Sequence, residues 1–381
     1  MKRYAIFFPQ FHQVKVNDIA WGHGFTDWAL VAAANAFNYW RRRAPACGFY
    51  DLSKMTDIGD RFDAAATAGL DGFGIYHYRF DDGPELDTVE RYLHQFPTPA
   101  GFRYFFIWAN EDWSKRWVDN DTKILKSVPT APTREQVADH VRYLKPYMES
   151  ESYTKMATKP MFVVYRPDWF KDPGATVRLY REEFERTGLS VSIGFFAKNV
   201  LDVEYSKIFD FCYIFEPRMF FNFQGFRRSI TLVSIYRKLL SFMSSERGEW
   251  LSEHINRVSR KGSSKFSFED FLSYFRLEER QQLINSLDCP VQNVLTAGWN
   301  NAPRYRDHST QVDVPNLDQF SVMLKLSLRD RSCSEDIPLL CNAWNEWSEG
   351  AAIEPCAYLG DALLKSYIRL DEPEREEGSI E

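Results

Sequence analysis

The chain lacks any phosphate-cradling loop. Neither G-x-G-x-x-G nor G-x-x-x-x-G-K-[ST] occurs in its 381 residues, so a nucleotide held on a glycine-rich turn has no support. H-E-x-x-H and other recognisable metal-ligand spacings are absent, as is the G-x-S-x-G elbow of serine hydrolases, and we expect no metal and no obligatory cofactor. Six cysteines lie at 47, 212, 289, 333, 341 and 356 without one C-x-x-C pair. That pattern speaks against a zinc site or a disulfide frame and for free thiols in a reducing compartment. No apolar run approaches the ~18 residues of a membrane span. The opening MKRYAIFFPQFH is basic and then apolar, but the apolar part is too short before Pro9 for a secretion signal, so a cytoplasmic protein is expected. Basic excess is missing too. A net charge of -6 argues against a nucleic-acid partner, whose footprint is a basic face.

Aromatic residues are abundant, at 16% with 11 Trp and 19 Tyr, which suits flat-faced ligands such as sugars, although a large aromatic core gives the same count. The chain is long enough for one large α/β domain or two ordinary ones. One architectural unit recurs along it: an apolar run, a polar cluster, then an amphipathic helix. The apolar runs are 4–8, 72–78, 102–108, 160–165, 189–197, 209–215, 291–297 and 337–341. Helices are predicted over 57–68, 86–96, 133–149, 175–187, 316–330 and 358–370, with Asp57 as a cap, Gly69 as a stop and a capping box from Thr133 to Gln136. Eight buried strands alternating with helices predict a (β/α)₈ TIM-type barrel spanning 1–370, rather than a doubly wound sheet. Nearly every run ends in Trp, Asn, Glu, Asp, His or Arg, and strand C-termini are where such barrels build their sites.

Residues 218–290 break the rhythm and predict a helical insertion between strands six and seven. Within it, 227–265 is basic and partly apolar. It either packs on the barrel flank or contacts an anionic surface, such as the inner membrane or a lipid-linked glycan. The acidic tail 371–381 is expected to be disordered.

The densest chemistry is in 336–355, DIPLLCNAWNEWSEGAAIEP, where Asn342, Trp344, Asn345, Glu346, Trp347 and Glu349 follow a buried strand. Carboxylates supply acid and base to a glycosidic bond, amides hold hydroxyls and indoles stack on pyranose faces. Glu346 and Glu349 are the candidate catalytic pair; their spacing puts them on one face if the segment turns helically. Candidate substrate contacts elsewhere are Gln10 and His12; Asp27 and Trp28; Tyr76, His77 and Tyr78; Trp108, Asn110, Glu111 and Trp113; Arg166; and Trp299 with Asn300. His77 alternates with its two tyrosine neighbours, so it points to the opposite face of the strand, and a buried histidine satisfied by a neighbour fits it equally well.

The stretches YAIFFPQFH, WGHGFTDW, GFYDL, GLDGFGIYHYRF, FIWANEDWSKRW, VVYRPDW, GWNNAPR and NAWNEWSEGAAIEP resemble the WbsX-like proteins of bacterial polysaccharide (O-antigen) gene clusters, which are related to glycoside hydrolase family 99. The resemblance runs from Tyr4 to Pro355, the insertion excepted. It implies a (β/α)₈ barrel and retaining action on α-mannosidic linkages. In that mechanism Glu346 is the base on the sugar 2-hydroxyl, through a 1,2-anhydro intermediate, and Glu349 is the acid/base at the leaving oxygen. One departure is Asp112, where the family pattern has an amide. The expected function is glycosidase-type cleavage or transglycosylation of a surface polysaccharide or lipid-linked oligosaccharide. The alternatives are a glycosyltransferase of O-antigen, lipopolysaccharide or capsule biosynthesis, and a non-catalytic glycan-binding barrel.

Overall fold

The computed structural model describes residues 1–34, 44–115, 123–225, 264–305, 309–328, 334–357 and 359–369. Eight parallel strands form a closed ring: β1 (Arg3–Phe7), β2 (Gly72–Phe80), β3 (Arg103–Trp108), β4 (Lys159–Val164), β5 (Ser192–Ala197), β6 (Phe211–Phe215), β7 (Val291–Thr296) and β8 (Leu339–Asn342). The ring shuts where Arg3 of β1 lies opposite Leu339 of β8 and Tyr4 opposite Gly72 of β2. These are the eight apolar runs expected from the sequence, and the barrel is the fold they predict. Strands buried on both faces read as apolar stretches, and these do apart from β7, VQNVLT, which buries Gln292, Asn293 and Thr296.

Alternation sorts each strand's side chains into two sets. The inward set fills the barrel in layers, with Tyr4 stacked on Phe105 at 6.1 Å and Phe105 on Tyr213 at 6.3 Å. Gly74 admits this packing, since a Cβ there would meet the side chains of Ile107 and Phe105 at 2.9 and 3.0 Å. The outward set meets the covering helices: α1 (Met55–Ala68), α2 (Thr88–Gln95), α3 (Arg134–Met148), α4 (Pro173–Arg186), α5 (Phe268–Phe275), α6 (Glu278–Asn285), α7 (Leu317–Leu328) and α8 (Ala362–Ile368).

Helix ends follow local chemistry. Thr133 and Gln136 make the expected capping box, with bonds of 3.3 and 2.8 Å. Asp57 is not a cap: α1 begins at Met55, and Asp57 instead accepts the Asp51 backbone N–H at 2.8 Å. Gly69 ends α1 in the left-handed region at φ 98. The long segment after β1 contains two further helices, Lys15–Trp21 and Asp27–Ala34.

Most of the basic stretch 227–265 and the tail 371–381 lie outside the described residues. The described part of the insertion is not wholly helical. Ser264–Phe266 forms a short strand paired with Thr310–Val312 before α5 and α6 begin. No helix among the described residues is long and apolar enough to cross a membrane. The five described cysteines are free thiols.

Candidate active site

Chain geometry at the end of β8 explains the placement of the acid pair. The strand stops at Asn342, and the chain makes a short 3₁₀ turn over Trp347–Glu349. Gly350 terminates that turn at φ 63, a conformation open to glycine and costly for other residues. Three side chains fix the turn from behind. Asn345 accepts the Phe8 backbone N–H at 2.7 Å and donates to the Phe8 carbonyl at 2.9 Å. Trp347 donates its indole N–H to Glu354 at 2.9 Å. Trp344 packs against Phe73 with ring centroids 5.6 Å apart.

The turn presents Glu346 and Glu349 to a common cation, Arg304, from the helix Ala302–Tyr305 beyond β7. Arg304 Nη1 donates to Glu349 Oε1 at 2.8 Å, and Nη2 lies 3.6 Å from Glu346 Oε2. Nη2 also donates to Asp27 at 2.9 Å, and Asp27 accepts the Ser348 hydroxyl. Three carboxylates therefore surround one buried guanidinium. Burial pushes the Glu346 carboxyl well above the usual carboxylate range; Glu349 adds to this and Arg304 opposes it. Its Oε2 accepts no hydrogen bond among the described residues.

Around the pair is a cavity of about 80 Å³ at the C-terminal mouth of the barrel. Tyr76 and Tyr78 from β2, Tyr165 after β4 and Trp299 after β7 wall it, with Asn342 and Glu111 at its edge. Tyr76 meets Tyr165 edge-on at 5.8 Å. Burial raises the hydroxyl pKa of both Tyr76 and Tyr78, with Glu346 contributing to each, so both phenols stay protonated and able to donate. Past Glu111, Tyr165, Arg218 and Tyr305 the cavity opens into a trough of about 820 Å³ over the ends of β4, β5 and β6. The polar lining, aromatic walls and convergent acid pair are what a pyranose needs, but about 80 Å³ is the volume of roughly two to three waters, so a sugar ring at the acids extends into the trough.

The sequence candidates divide accordingly. Glu346, Glu349, Tyr76, Tyr78, Glu111, Trp299 and Asn342 line the cavity, and Arg166 lines the trough. Asp27, Asn345 and Trp347 hold the acids in place rather than the ligand. Asn110 is a strut: it accepts the Arg166 backbone N–H and donates to the Arg166 carbonyl, both at 2.7 Å. Asn300 accepts the Ala302 N–H at 3.0 Å and so starts the helix carrying Arg304. Trp28 donates to the Tyr50 carbonyl at 2.7 Å and stacks on Phe11 and Phe49, behind the site. Asp112 receives the Val128 N–H at 2.9 Å, a loop-holding bond at the trough edge.

Several candidates need correction. His77 and Trp108 face outward from the barrel. His77 bonds Glu90 and His140, each at 2.8 Å, and Trp108 packs on His140 and Tyr180 under α3 and α4. Trp113 is buried against Tyr78 and Phe80. Trp344 is wholly buried on the outer face of β2. Gln10 and His12 are buried and line neither the cavity nor the trough; burial takes His12 down to about 4, so it is neutral in ordinary conditions. The candidate set in turn omitted Arg304, Arg218, Tyr165, Tyr305 and Lys198. Three of these, Tyr165, Lys198 and Arg218, sit at or just beyond strand ends, the position shared by the other candidates.

A family model described as "Glycosyltransferase WbsX" matches residues 3–367. The chain belongs to the WbsX family. This is a family of carbohydrate-active enzymes. Two curated relatives, each called uncharacterized protein WxcX, come from two strains of Xanthomonas campestris pv. campestris. They are 25% identical over 367 and 371 residues, which is 94% of this chain and 48% of theirs. The chain thus spans about half the length of these curated relatives. The barrel is also similar to the GH99 endo-alpha-mannosidase from Bacteroides thetaiotaomicron in complex with bis-tris-propane, at TM-score 0.56 and 13% identity over 97% of this chain and 94% of that one. A second structure of that enzyme gives TM-score 0.56 at 12% identity, covering 97% and 98%. A glycoside hydrolase-like protein gives 0.54 at 13%, covering 87% and 90%. At these identities the likeness is one of fold.

Proposed function

We propose that this WbsX-family protein is a retaining glycosidase-type enzyme that cleaves or transglycosylates a bacterial surface polysaccharide or its lipid-linked precursor, with α-mannosidic linkages as the expected bond. The observation that carries the reading is the pair of buried carboxyls, Glu346 and Glu349, sharing Arg304 in an aromatic-walled cavity at the barrel mouth. Two carboxyl groups on one sugar are what glycosidic cleavage requires. In the proposed first step the Glu349 carboxylic acid protonates the glycosidic oxygen. The Glu346 carboxylate takes the 2-hydroxyl proton while O2 attacks C1 and the glycosidic bond breaks. In the second, Glu349 removes a proton from water, or from an acceptor hydroxyl, as that oxygen opens the 1,2-anhydro ring at C1, and Glu346 returns its proton to O2.

Burial favours the protonated form of Glu346, the group assigned as base. The assigned roles require the proton to lie on Glu349 once the sugar is bound. Arg304, closer to Glu349 than to Glu346, must therefore change its balance between them on binding.

The glycosyltransferase reading is favoured by the description of the family itself. Against it, no G-x-G-x-x-G or G-x-x-x-x-G-K-[ST] turn is present to hold a sugar nucleotide. The deciding experiment incubates the purified protein with bacterial surface glycans, with and without sugar nucleotides, and follows products by mass spectrometry. Shortened or exchanged glycans without nucleotide support cleavage or transglycosylation. Elongation only with nucleotide overturns the glycosidase reading.

A further inference from the structure

Among the described residues, two cations in the trough have no carboxylate within ion-pair distance. Arg166, their neighbour, is satisfied: it holds Asp168 at 2.5 Å and Glu111 at 3.3 Å. Asp202 is occupied as well, accepting the backbone N–H groups of Lys198 and Asn199 at 2.8 and 2.9 Å. Lys198 and Arg218 differ from Arg166. Among the described residues neither side chain makes a hydrogen bond or an ion pair; each lies over an aromatic ring instead. The Lys198 ammonium is 3.8 Å from the Tyr165 ring centre, and the Arg218 guanidinium is 5.3 Å from that of Trp299. Both side chains are partly buried. Burial brings Lys198 down to about 8 even though Glu111, Asp168 and Asp202 pull the other way. Glu349 and Glu111 favour the charged form of Arg218 at longer range; a bound anion would add the close hydrogen-bonded contact that neither cation has among the described residues.

Their location gives this a functional meaning. Arg218 and Tyr165 border both the acid-pair cavity and the trough, while Lys198 lies in the trough over the Tyr165 ring. A guanidinium and an ammonium flanking the passage between two sugar positions form a site for an oxyanion. A neutral hexose would use the aromatic faces and leave both charges unmatched.

We propose that the saccharide in the trough is acidic, and that Arg218 and Lys198 bind its carboxylate or phosphate group beside the bond placed at Glu346 and Glu349. This deepens the glycosidase reading and takes from it only the position of the scissile bond. Arg218 supplies paired N–H donors to two oxygens of the group and Lys198 a point charge; neither enters the bond-breaking step.

The test uses α-linked probes on the full chain: a mannotetraose oxidised to the uronic acid at C6, a phosphorylated mannotetraose, and plain mannotetraose as the neutral partner of both. Affinities are measured by calorimetry, and the same samples are examined for products by mass spectrometry. At least one acidic probe is expected to bind about tenfold or more tightly than its neutral partner. The preferred pair distinguishes carboxylate from phosphate. Arg218→Gln and Lys198→Gln should each weaken the acidic probe about tenfold more than they weaken its neutral partner. Arg218→Lys, which keeps a charge, should retain part of the preference, a result that a packing role would not give. The proposal is overturned if no acidic probe binds better than its neutral partner, or if the variants weaken acidic and neutral probes alike. Acid preference without any cleavage would keep the anion site and remove the glycosidase reading; cleavage without acid preference would do the reverse.

Discussion

The Trp347 indole donates to Glu354 Oε2 at 2.9 Å, joining the turn that carries the acid pair to a carboxyl sealed behind it. Glu354 also accepts the Tyr50 hydroxyl at 3.0 Å and lies 3.4 Å from Arg61. Burial nonetheless raises it from 4.5 to about 7, with Arg61 and the two donors opposing.

A raised carboxyl makes stability depend on pH in a fixed direction. Between pH 4.5 and about 7 the folded chain holds a proton on Glu354 that the unfolded chain has lost. Stability from this group is full below that window and falls as pH rises through it, by up to about 3 kcal/mol. Thermal unfolding from pH 5 to 8 should show the wild-type Tm falling, and Glu354→Gln should flatten the slope. An unchanged slope in the variant would show that Glu354 does not titrate in this range.

Roles within the acid pair separate by leaving group. On a polysaccharide, Glu346→Gln and Glu349→Gln should each cut kcat by about 10²-fold or more. On an aryl mannoside that leaves without protonation, Glu349→Gln should recover bond cleavage and Glu346→Gln should not. Recovery in Glu346→Gln alone would exchange the two roles, as the raised carboxyl of the empty pocket suggests.

Arg304 holds three acids together. Arg304→Met should leave Asp27, Glu346 and Glu349 buried without their shared cation, costing about 3–5 kcal/mol and abolishing turnover. The loss should shrink at low pH, where the acids protonate. Denaturant melts at pH 5 and 8 check this, and a pH-independent loss would argue that Arg304 acts mainly through packing.

His77 makes the opposite case. Its bonds to Glu90 and His140 belong to the layer between barrel and helices. His77→Gln should lower stability by about 1–3 kcal/mol and leave kcat/KM of the folded protein near wild type. A selective loss of kcat/KM at unchanged Tm would return His77 to the site.

The barrel was legible because each strand is buried on both faces, which leaves a continuous apolar signature, and because glycine and cap residues punctuate the helices. The acid pair was legible from the crowding of polar groups after β8. Side-chain direction was harder to read. Trp108 and His77 end or nearly end their strands and look like rim residues, but one step of alternation sends both outward. Tyr165, equally close to a strand end, turns inward. Arg304 was hidden for another reason: its value lies in meeting Asp27, Glu346 and Glu349, residues far apart along the chain.

The clamp between Asn345 and Phe8 joins positions 337 residues apart, and Arg304 ties the same turn to Asp27. The acids are thus seated on the seam where the last strand meets the first. During synthesis every other strand emerges before that seam can shut, so a ribosome-bound chain carries the earlier walls of the pocket but not its reactive groups. The contact that completes the ring is therefore the one that brings the acid pair together with Arg304 and Asp27.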